Sequence, residues 1–337
     1  MPSAYRVGIV GTGLQAARRA AALQDDDSGK IVAVAGVDDA ATVKFAARHR
    51  IRVEATWESL VAADDVDVIF VCTPPSSHAE ITIAALAARK PVLCEKPLGL
   101  TSDEAAQMCS ASDAAGVPLI CGFNHRYHAA IAELLRLADE GDLGKLLWGR
   151  AVYGIGGRDG YTDEWRGDAS VVAGGHLMEQ GIHVVDLARQ IFGEVKAVTG
   201  TRQTMQWPAM APLEDDAMAL LLHESGATCT VHSSLTQWVN LFRLEVGGSK
   251  ATAVVEGLAG SYGPMRLSVW RRTTGPFSAD VREYRGADKS WAHEWAAMVA
   301  LLDKRIPTSR TAYDGKQAVA VVEALYSAAD EGCWVAP

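Results

Sequence analysis

Up to Gly122, short and almost uninterrupted apolar runs alternate with longer segments whose apolar positions recur every three or four residues. The runs at 6–10, 31–37, 67–72, 91–95 and 117–122 read as strands, and the segments 14–23, 41–48, 77–89 and 102–115 as helices. Val- and Ile-rich strands with no polar face belong to a parallel sheet covered on both sides by helices. Right-handed crossovers between them give a doubly wound α/β arrangement.

After Phe123 the pattern changes. A helix is expected over 129–139, a strand over 146–155, a Gly-rich irregular stretch through 154–175 and a helix over 177–192. Strand patterns then follow one another at 195–202, 217–222, 227–235, 242–246, 253–256 and 266–271, joined by short links containing Gly226, Gly247, Gly248 or Gly257. Such a series predicts an α+β domain with an open, mainly antiparallel sheet. Helices over 291–302 and 314–329 close the chain. The 337 residues suit two domains at roughly 150 residues each, and the change in pattern puts the division at 1–122 and 123–337.

Composition narrows the function. With 49% hydrophobic and 22% charged residues the chain is neither disordered nor fibrous. Its net charge of −9, without a Lys/Arg-rich run, repels phosphate backbones and argues against nucleic acid as a partner. No apolar run approaches the roughly 18 residues of a membrane span, so no membrane partner is expected either. The six cysteines form neither a CxxC pair nor a zinc-ligand spacing. They are expected to be reduced thiols and no metal is expected. The first residues enter a strand pattern without the features of a secretion signal, and a cytoplasmic location is the expectation.

The candidate chemistry begins between the first strand and the first helix. Residues 11–16, GTGLQA, have the G-x-G-x-x-A form of a dinucleotide-binding loop. Gly11 permits the tight turn, Gly13 the approach of a pyrophosphate, and Ala16 close helix–strand packing; the helix start supplies N–H groups and a positive dipole end. Gly11, Thr12, Gly13, Leu14 and Gln15 are therefore candidate cofactor contacts. A ribose-binding acid should follow about 20 residues on. Asp38 is the candidate, and with Asp39 beside it a 2′-phosphate is disfavoured, which points to NAD rather than NADP. Asp39 as a helix N-cap is the competing reading and can hold alongside it. Glu95, Lys96 and Pro97 stand at the end of the fourth strand, where parallel sheets present ligand-facing groups. A lysine there can hydrogen-bond a substrate hydroxyl, or be a surface lysine in a turn.

In the second domain Glu179, His183, Asp186 and Gln190 fall on one stripe of the helix over 177–192, opposite Leu177, Val184, Ala188 and Ile191. A carboxylate four residues before a histidine can orient its imidazole as a general base; a solvated helix face is the alternative. His125 and His128 near the domain junction are weaker ligand candidates. Tyr153, Trp165 and Trp238 can stack on a sugar ring or simply pack, Asn240 is a further pocket candidate, and Arg158 and Arg166 would suit an anionic substituent.

Three segments together resemble the Gfo/Idh/MocA family of sugar and cyclitol oxidoreductases: GTGLQA at 11–16, CTPPSSH at 72–78 with LCEKP at 93–97, and GGHLMEQGIHVVDL at 174–187. The resemblance covers nearly the whole chain. It implies an N-terminal Rossmann domain and a C-terminal substrate-binding and oligomerisation domain, assembled as a homodimer or homotetramer through the open sheet face. It implies that Lys96 is the catalytic lysine, that His183 is the acid–base histidine, and that Glu179 fills a slot where many members have Asp. Thr73, Pro74 and His78 match a segment lining the cofactor crevice, and Lys96–Pro97 is a candidate cis peptide. Gly36 stands where many members carry the ribose-binding acid. The expected activity is an NAD-dependent dehydrogenation of a secondary hydroxyl on a sugar, sugar derivative or cyclitol, with Lys96, Glu179 and His183 catalytic. Two alternatives stay open: a transient-redox enzyme that cleaves or eliminates using tightly bound NAD, and a non-catalytic NAD or sugar sensor.

Overall fold

The structure, a computed structural model, describes residues 4–24, 26–303 and 311–337. The first elements are β1 (Tyr5–Val10), α1 (Leu14–Ala22), β2 (Gly29–Ala35), α2 (Asp39–His49), β3 (Arg52–Val53), α3 (Trp57–Ala62), β4 (Val68–Val71), α4 (His78–Ala87), β5 (Val92–Cys94), α5 (Ser102–Ala115) and β6 (Leu119–Cys121). Then come α6 (Ala129–Asp139), β7 (Leu146–Gly156), α7 (Ile182–Phe192), β8 (Val195–Gln203), β9 (Asp216–His223), β10 (Thr228–Ser234), β11 (Thr236–Gly248), β12 (Ala251–Glu256), β13 (Met265–Arg271) and β14 (Ala279–Tyr284), with α8 (Ser290–Leu302) and α9 (Thr311–Glu331) last.

The chain divides into two compact units, residues 1–123 with 291–316, and residues 124–290 with 317–337. In the first, six parallel strands run in the order β3-β2-β1-β4-β5-β6. β4 is buried at every position, as its unbroken Val-Ile-Phe-Val sequence requires. Trp295, Met298, Val299 and Leu301 of α8 join Val7, Ile9, Ala20 and Phe70 in one core. The sequence division grouped those α8 residues with the second domain, because nothing in an amphipathic pattern says which sheet its apolar face will cover.

The second unit is built on an eight-stranded sheet in the order β14-β13-β12-β11-β7-β10-β9-β8. Among the described residues only the β7–β10 pair of this sheet is parallel. Alternation along β9, β10 and β13 sends Ala219, Leu221, Val231, Leu267 and Val269 inward, while Met218 and Trp270 stay exposed on the other face. Three elements escape the sequence reading. β3 and α3 are too short for a period to register, and β14 is an edge strand exposed at its central positions. Among the described residues no helix is long and apolar enough to cross a membrane.

Candidate functional site

In the first unit the chemistry gathers where β1, β4 and β5 end. Gly11 has φ +101°, and a Cβ there would lie 2.5 Å from the Cys72 carbonyl oxygen, so only glycine lets this loop lie against the 72–75 turn. A Cβ on Gly13 would meet nothing within 4 Å; its hydrogen side faces open space. Ala16 is fully buried, as close helix–strand packing demands. α1 starts at Gly13 with no side-chain cap and no acid in its first turn, whereas α2, α3 and α5 are capped by Asp38, Thr56 and Thr101. The Gln15 Oε1 atom is buried with no hydrogen-bond partner among the described residues. An open glycine loop and an uncapped positive helix end fit a dinucleotide pyrophosphate.

Asp38 is the N-cap of α2, accepting from the Ala41 N–H at 2.9 Å, and is exposed. The cap is thus Asp38, with Asp39 in the first helical turn. Gly36 has a steric reason: a Cβ there would lie 2.5 Å from Thr42 Oγ1 and 3.2 Å from Thr12 Cγ2. Thr73 Oγ1 accepts from Ser77 Oγ at 2.8 Å, in a turn that begins after Pro74. His78 differs from its expected place on the crevice wall. It is fully buried, with Nδ1 2.8 Å from the Pro97 carbonyl oxygen and Nε2 2.9 Å from that of Thr73. Burial holds its pKa below the ordinary histidine value, against the pull of those two carbonyls. The ring therefore ties the 73–77 turn to the turn after Lys96.

Glu95 likewise faces inward. Its Oε1 accepts from Arg19 Nε at 2.7 Å, and Arg19 NH1 donates to Glu294 Oε2 at 2.8 Å. All three residues are buried, so Glu95 anchors the end of β5 and Arg19, an anchor the sequence reading missed, fixes it from α1. Lys96 is half-buried, and the Lys96–Pro97 peptide is cis.

In the second unit the helix expected from 177 is α-helical only from Ile182. Leu177–Gly181 forms a π-turn, which breaks the four-residue spacing from Glu179 to His183. Gly181 fits this turn because a Cβ would lie 2.7 Å from Ser233 Oγ. Nor is the middle of the polar stripe solvated: His183 and Asp186 are buried and Asp186 is ion-paired with Arg126, while Gln190 at its end is exposed. Glu179 accepts from the Tyr161 hydroxyl at 2.5 Å and from Arg166 Nε at 2.7 Å. Burial, and then the Glu179 carboxylate, hold Tyr161 protonated far above the usual phenol range. Burial opposes the charge on Arg166, but Glu179 outweighs it and the guanidinium stays charged.

The chain entering the π-turn is held by Glu214, which the sequence reading passed over. This buried carboxylate accepts from the Gly175 and Leu177 N–H groups at 3.0 and 2.9 Å and from the Tyr326 hydroxyl at 2.9 Å. Burial raises its pKa, while those N–H groups and Tyr326 oppose the rise. The signal was there in the acidic run Glu214, Asp215 and Asp216, placed where a loop enters a strand. All three are buried, and Asp215 receives the N–H groups of Met205, Gln206 and Trp207.

His183 lies in an aromatic cluster. Its ring stacks on that of His125, centroids 3.7 Å apart and planes at 18°. Tyr153 lies 6.5 Å from His183 and 5.4 Å from His125 and accepts from the Tyr262 hydroxyl at 3.1 Å. Being buried, it is a wall of the cluster rather than an open stacking face. Arg158 and Arg166 are matched by Glu164, and Arg166 also by Glu179, so neither is a vacant anion site. Trp165 is partly exposed beneath the Arg166 guanidinium, and Trp238 is 65% exposed, its ring 6.2 Å from Trp207. Asn240 donates to Ser261 Oγ at 2.6 Å. Arg158, Arg166 and Glu179 are thus joined by ion pairs through Glu164 and Arg166, while His183 and Tyr153 belong to the aromatic cluster around His125.

Residues 5–123 match a family model described as an oxidoreductase family with an NAD-binding Rossmann fold, and residues 131–254 match the GFO/IDH/MocA C-terminal domain. Levoglucosan dehydrogenase of Pseudarthrobacter phenanthrenivorans is 34% identical over 163 residues, 47% of this chain but only 40% of that protein. D-apiose dehydrogenase of Paraburkholderia graminis is 28% identical over 347 residues, 97% of this chain and 88% of that one. A solved structure of levoglucosan dehydrogenase in complex with NADH and levoglucosan has the same fold, with a TM-score of 0.90 at 21% identity over 98% of this chain and 99% of that chain.

Proposed function

We propose that this chain, which belongs to the GFO/IDH/MocA family of oxidoreductases with an NAD-binding Rossmann fold, is an NAD-dependent dehydrogenase of a secondary hydroxyl on an uncharged sugar, sugar derivative or cyclitol. The observation that carries the reading is the open, uncapped glycine loop at residues 11–16 in a chain matching that family in both units. The dehydrogenases of levoglucosan and D-apiose among its relatives support the substrate class. Arg158 and Arg166, already matched by carboxylates, favour a neutral substrate over an acidic one. Asp38 and Asp39 favour NAD over NADP.

When bound, NAD supplies the hydride acceptor, and its pyrophosphate would be held by the backbone of Gly11 to Gln15 with the positive end of α1. Lys96 donates a hydrogen bond to the substrate hydroxyl oxygen and favours the developing alkoxide. His183 takes the hydroxyl proton on an imidazole nitrogen and returns it in the reductive direction. Glu179 positions: through Tyr161 and Arg166 it ties the irregular 161–166 segment to the π-turn before His183. His78 and Glu95 position Lys96 from either side of the Lys96–Pro97 turn. The exposed face of the eight-stranded sheet, with Met218 and Trp270, is the proposed surface for a homodimer or homotetramer.

The test is absorbance at 340 nm with NAD or NADP and a panel of neutral sugars, sugar acids and inositols, for the wild type beside Lys96→Ala and His183→Ala. NADH formation from a neutral polyol, lost in both variants, supports the reading. Conversion seen by mass spectrometry without net NADH would replace it with a transient-redox reaction, and a sugar acid as the sole substrate would overturn the neutral class.

A further inference from the structure

We propose that His125 is a positioning residue for His183: stacked face to face, it fixes the plane of the acid–base imidazole and holds the two rings to one positive charge between their two protonation steps. The proposal rests on the proton-transfer role given to His183 above. His125 lies in the short 124–127 turn and His183 in the first turn of α7, and both are buried. A centroid separation of 3.7 Å at 18° is ring-to-ring contact. One imidazolium over one neutral imidazole is tolerated there. Two imidazoliums at that distance, shielded from water, repel strongly. The pair should therefore take up protons in two macroscopic steps that belong to both rings.

The surroundings match this assignment. Asn124 Nδ2 donates to Ser290 Oγ at 2.9 Å, which turns its Oδ1 toward His125 Nδ1, 3.2 Å away. Neutral His125 then carries its hydrogen on Nδ1. His128 stands edge-on to His125 at 5.3 Å, with its own Nδ1 3.4 Å from Asp288. From β7 comes Tyr153, bonded to Tyr262, and from β11 comes Phe242, 6.1 Å from His125. His176 stacks on Tyr153 and bonds Ser233 of β10. Asp186, along α7, is ion-paired with Arg126, and Glu179 is bonded to Arg166 and Tyr161. The two nearby carboxylates on the His183 segment are thus each matched to an arginine, and the group against the face of His183 is a second titratable ring.

The experiment follows the imidazole resonances of His125 and His183 by NMR against pH in the full-length protein, for the wild type, His125→Phe and His125→Ala, with His183→Ala to assign signals. In the wild type both rings should respond to both steps, separated by at least about one pH unit, a tenfold mutual effect. In His125→Phe, which keeps a flat ring that cannot titrate, His183 should follow a single-site curve, and the acid limb of kcat/KM should simplify in the same way. Within the variants, His125→Ala should lower kcat at least tenfold with KM changed less than threefold, and His125→Phe should restore most of it. Independent single-site curves in the wild type overturn the proposal, as does a His125→Ala enzyme with unchanged kcat. If the variants do not fold, the wild-type titration alone decides. Sugar oxidation that survives in His183→Ala would instead refute the role of His183, while the titration still reports on the stack.

Discussion

Replacing Arg19 by Met tests the anchor beneath Lys96. Arg19 is 2% exposed and serves two carboxylates, Glu95 at 2.6 Å and Glu294 at 2.8 Å, themselves 6% and 1% exposed. Removing one partner of a buried ion pair leaves uncompensated charge and costs about 3–5 kcal/mol. Here two buried carboxylates lose the cation they share, which puts the expected loss at the upper end, about 4–5 kcal/mol. Set against a total stability of about 5–15 kcal/mol, that would lower the melting temperature of a unit this size by roughly 10 °C or more. The loss also has a pH signature. Without the guanidinium the two carboxylates must hold a proton to remain buried, so the folded variant binds more protons than its unfolded chain and gains stability as the pH falls. The deficit relative to the wild type should therefore be larger at pH 8 than at pH 5. Urea denaturation followed by circular dichroism at both values measures it. A deficit below about 1 kcal/mol, or one that grows on acidification, would show that the triad is not a buried, charge-matched anchor. NADH formation should fall as well, because Glu95 directly follows β5 and Lys96 directly follows Glu95.

Gly11→Val should abolish NADH binding by calorimetry, since its Cβ would lie 2.5 Å from the Cys72 carbonyl oxygen at φ +101°; binding within threefold of wild type would remove this loop from the cofactor site. Tyr161→Phe deletes the hydrogen bond to Glu179, a charge-assisted contact worth about 1.5–3 kcal/mol, and should show that loss in denaturant while leaving NADH affinity unchanged. For pH dependence, burial holds His78, His128 and His223 below the ordinary histidine value. Their unfolded forms bind protons first, so their stabilisation is intact above about pH 6.5 and is lost as the pH falls through the folded values. Thermal melts should be level from pH 8 to about 6.5 and decline toward pH 5, and His223→Asn should soften that decline.

Glycine and apolar periodicity were enough to read the long strands and helices of the first unit, though not the short β3 and α3 or the membership of α8. Residues 11–16 specify a tight turn and an open helix start by local chemistry, and the buried strands β1, β4 and β5 announce themselves because both faces need apolar side chains. The alternation along β8 to β13 made the second sheet legible for the same reason. What stayed hidden depends on partners far apart in the chain. Arg19 meets Glu294 across 275 positions, and only the packed core of the first unit puts a guanidinium between two carboxylates. Glu214 reads as one acid in a polar run until the fold delivers the N–H groups of Gly175 and Leu177 to it. His78 carries a motif position that suggests a ligand wall, yet its ring is enclosed by two backbone carbonyls. The π-turn at 177–181 shifted Glu179 off the helical stripe, since periodicity assumes 3.6 residues per turn and cannot foresee a wider one. The sequence by itself determined the long strands and helices and the glycine turn at 11–16, because those follow from nearest-neighbour sterics and the burial of apolar faces. Which charges find each other, and that His125 comes to lie on His183, was decided only by tertiary packing, because burial, not sequence spacing, sets those distances.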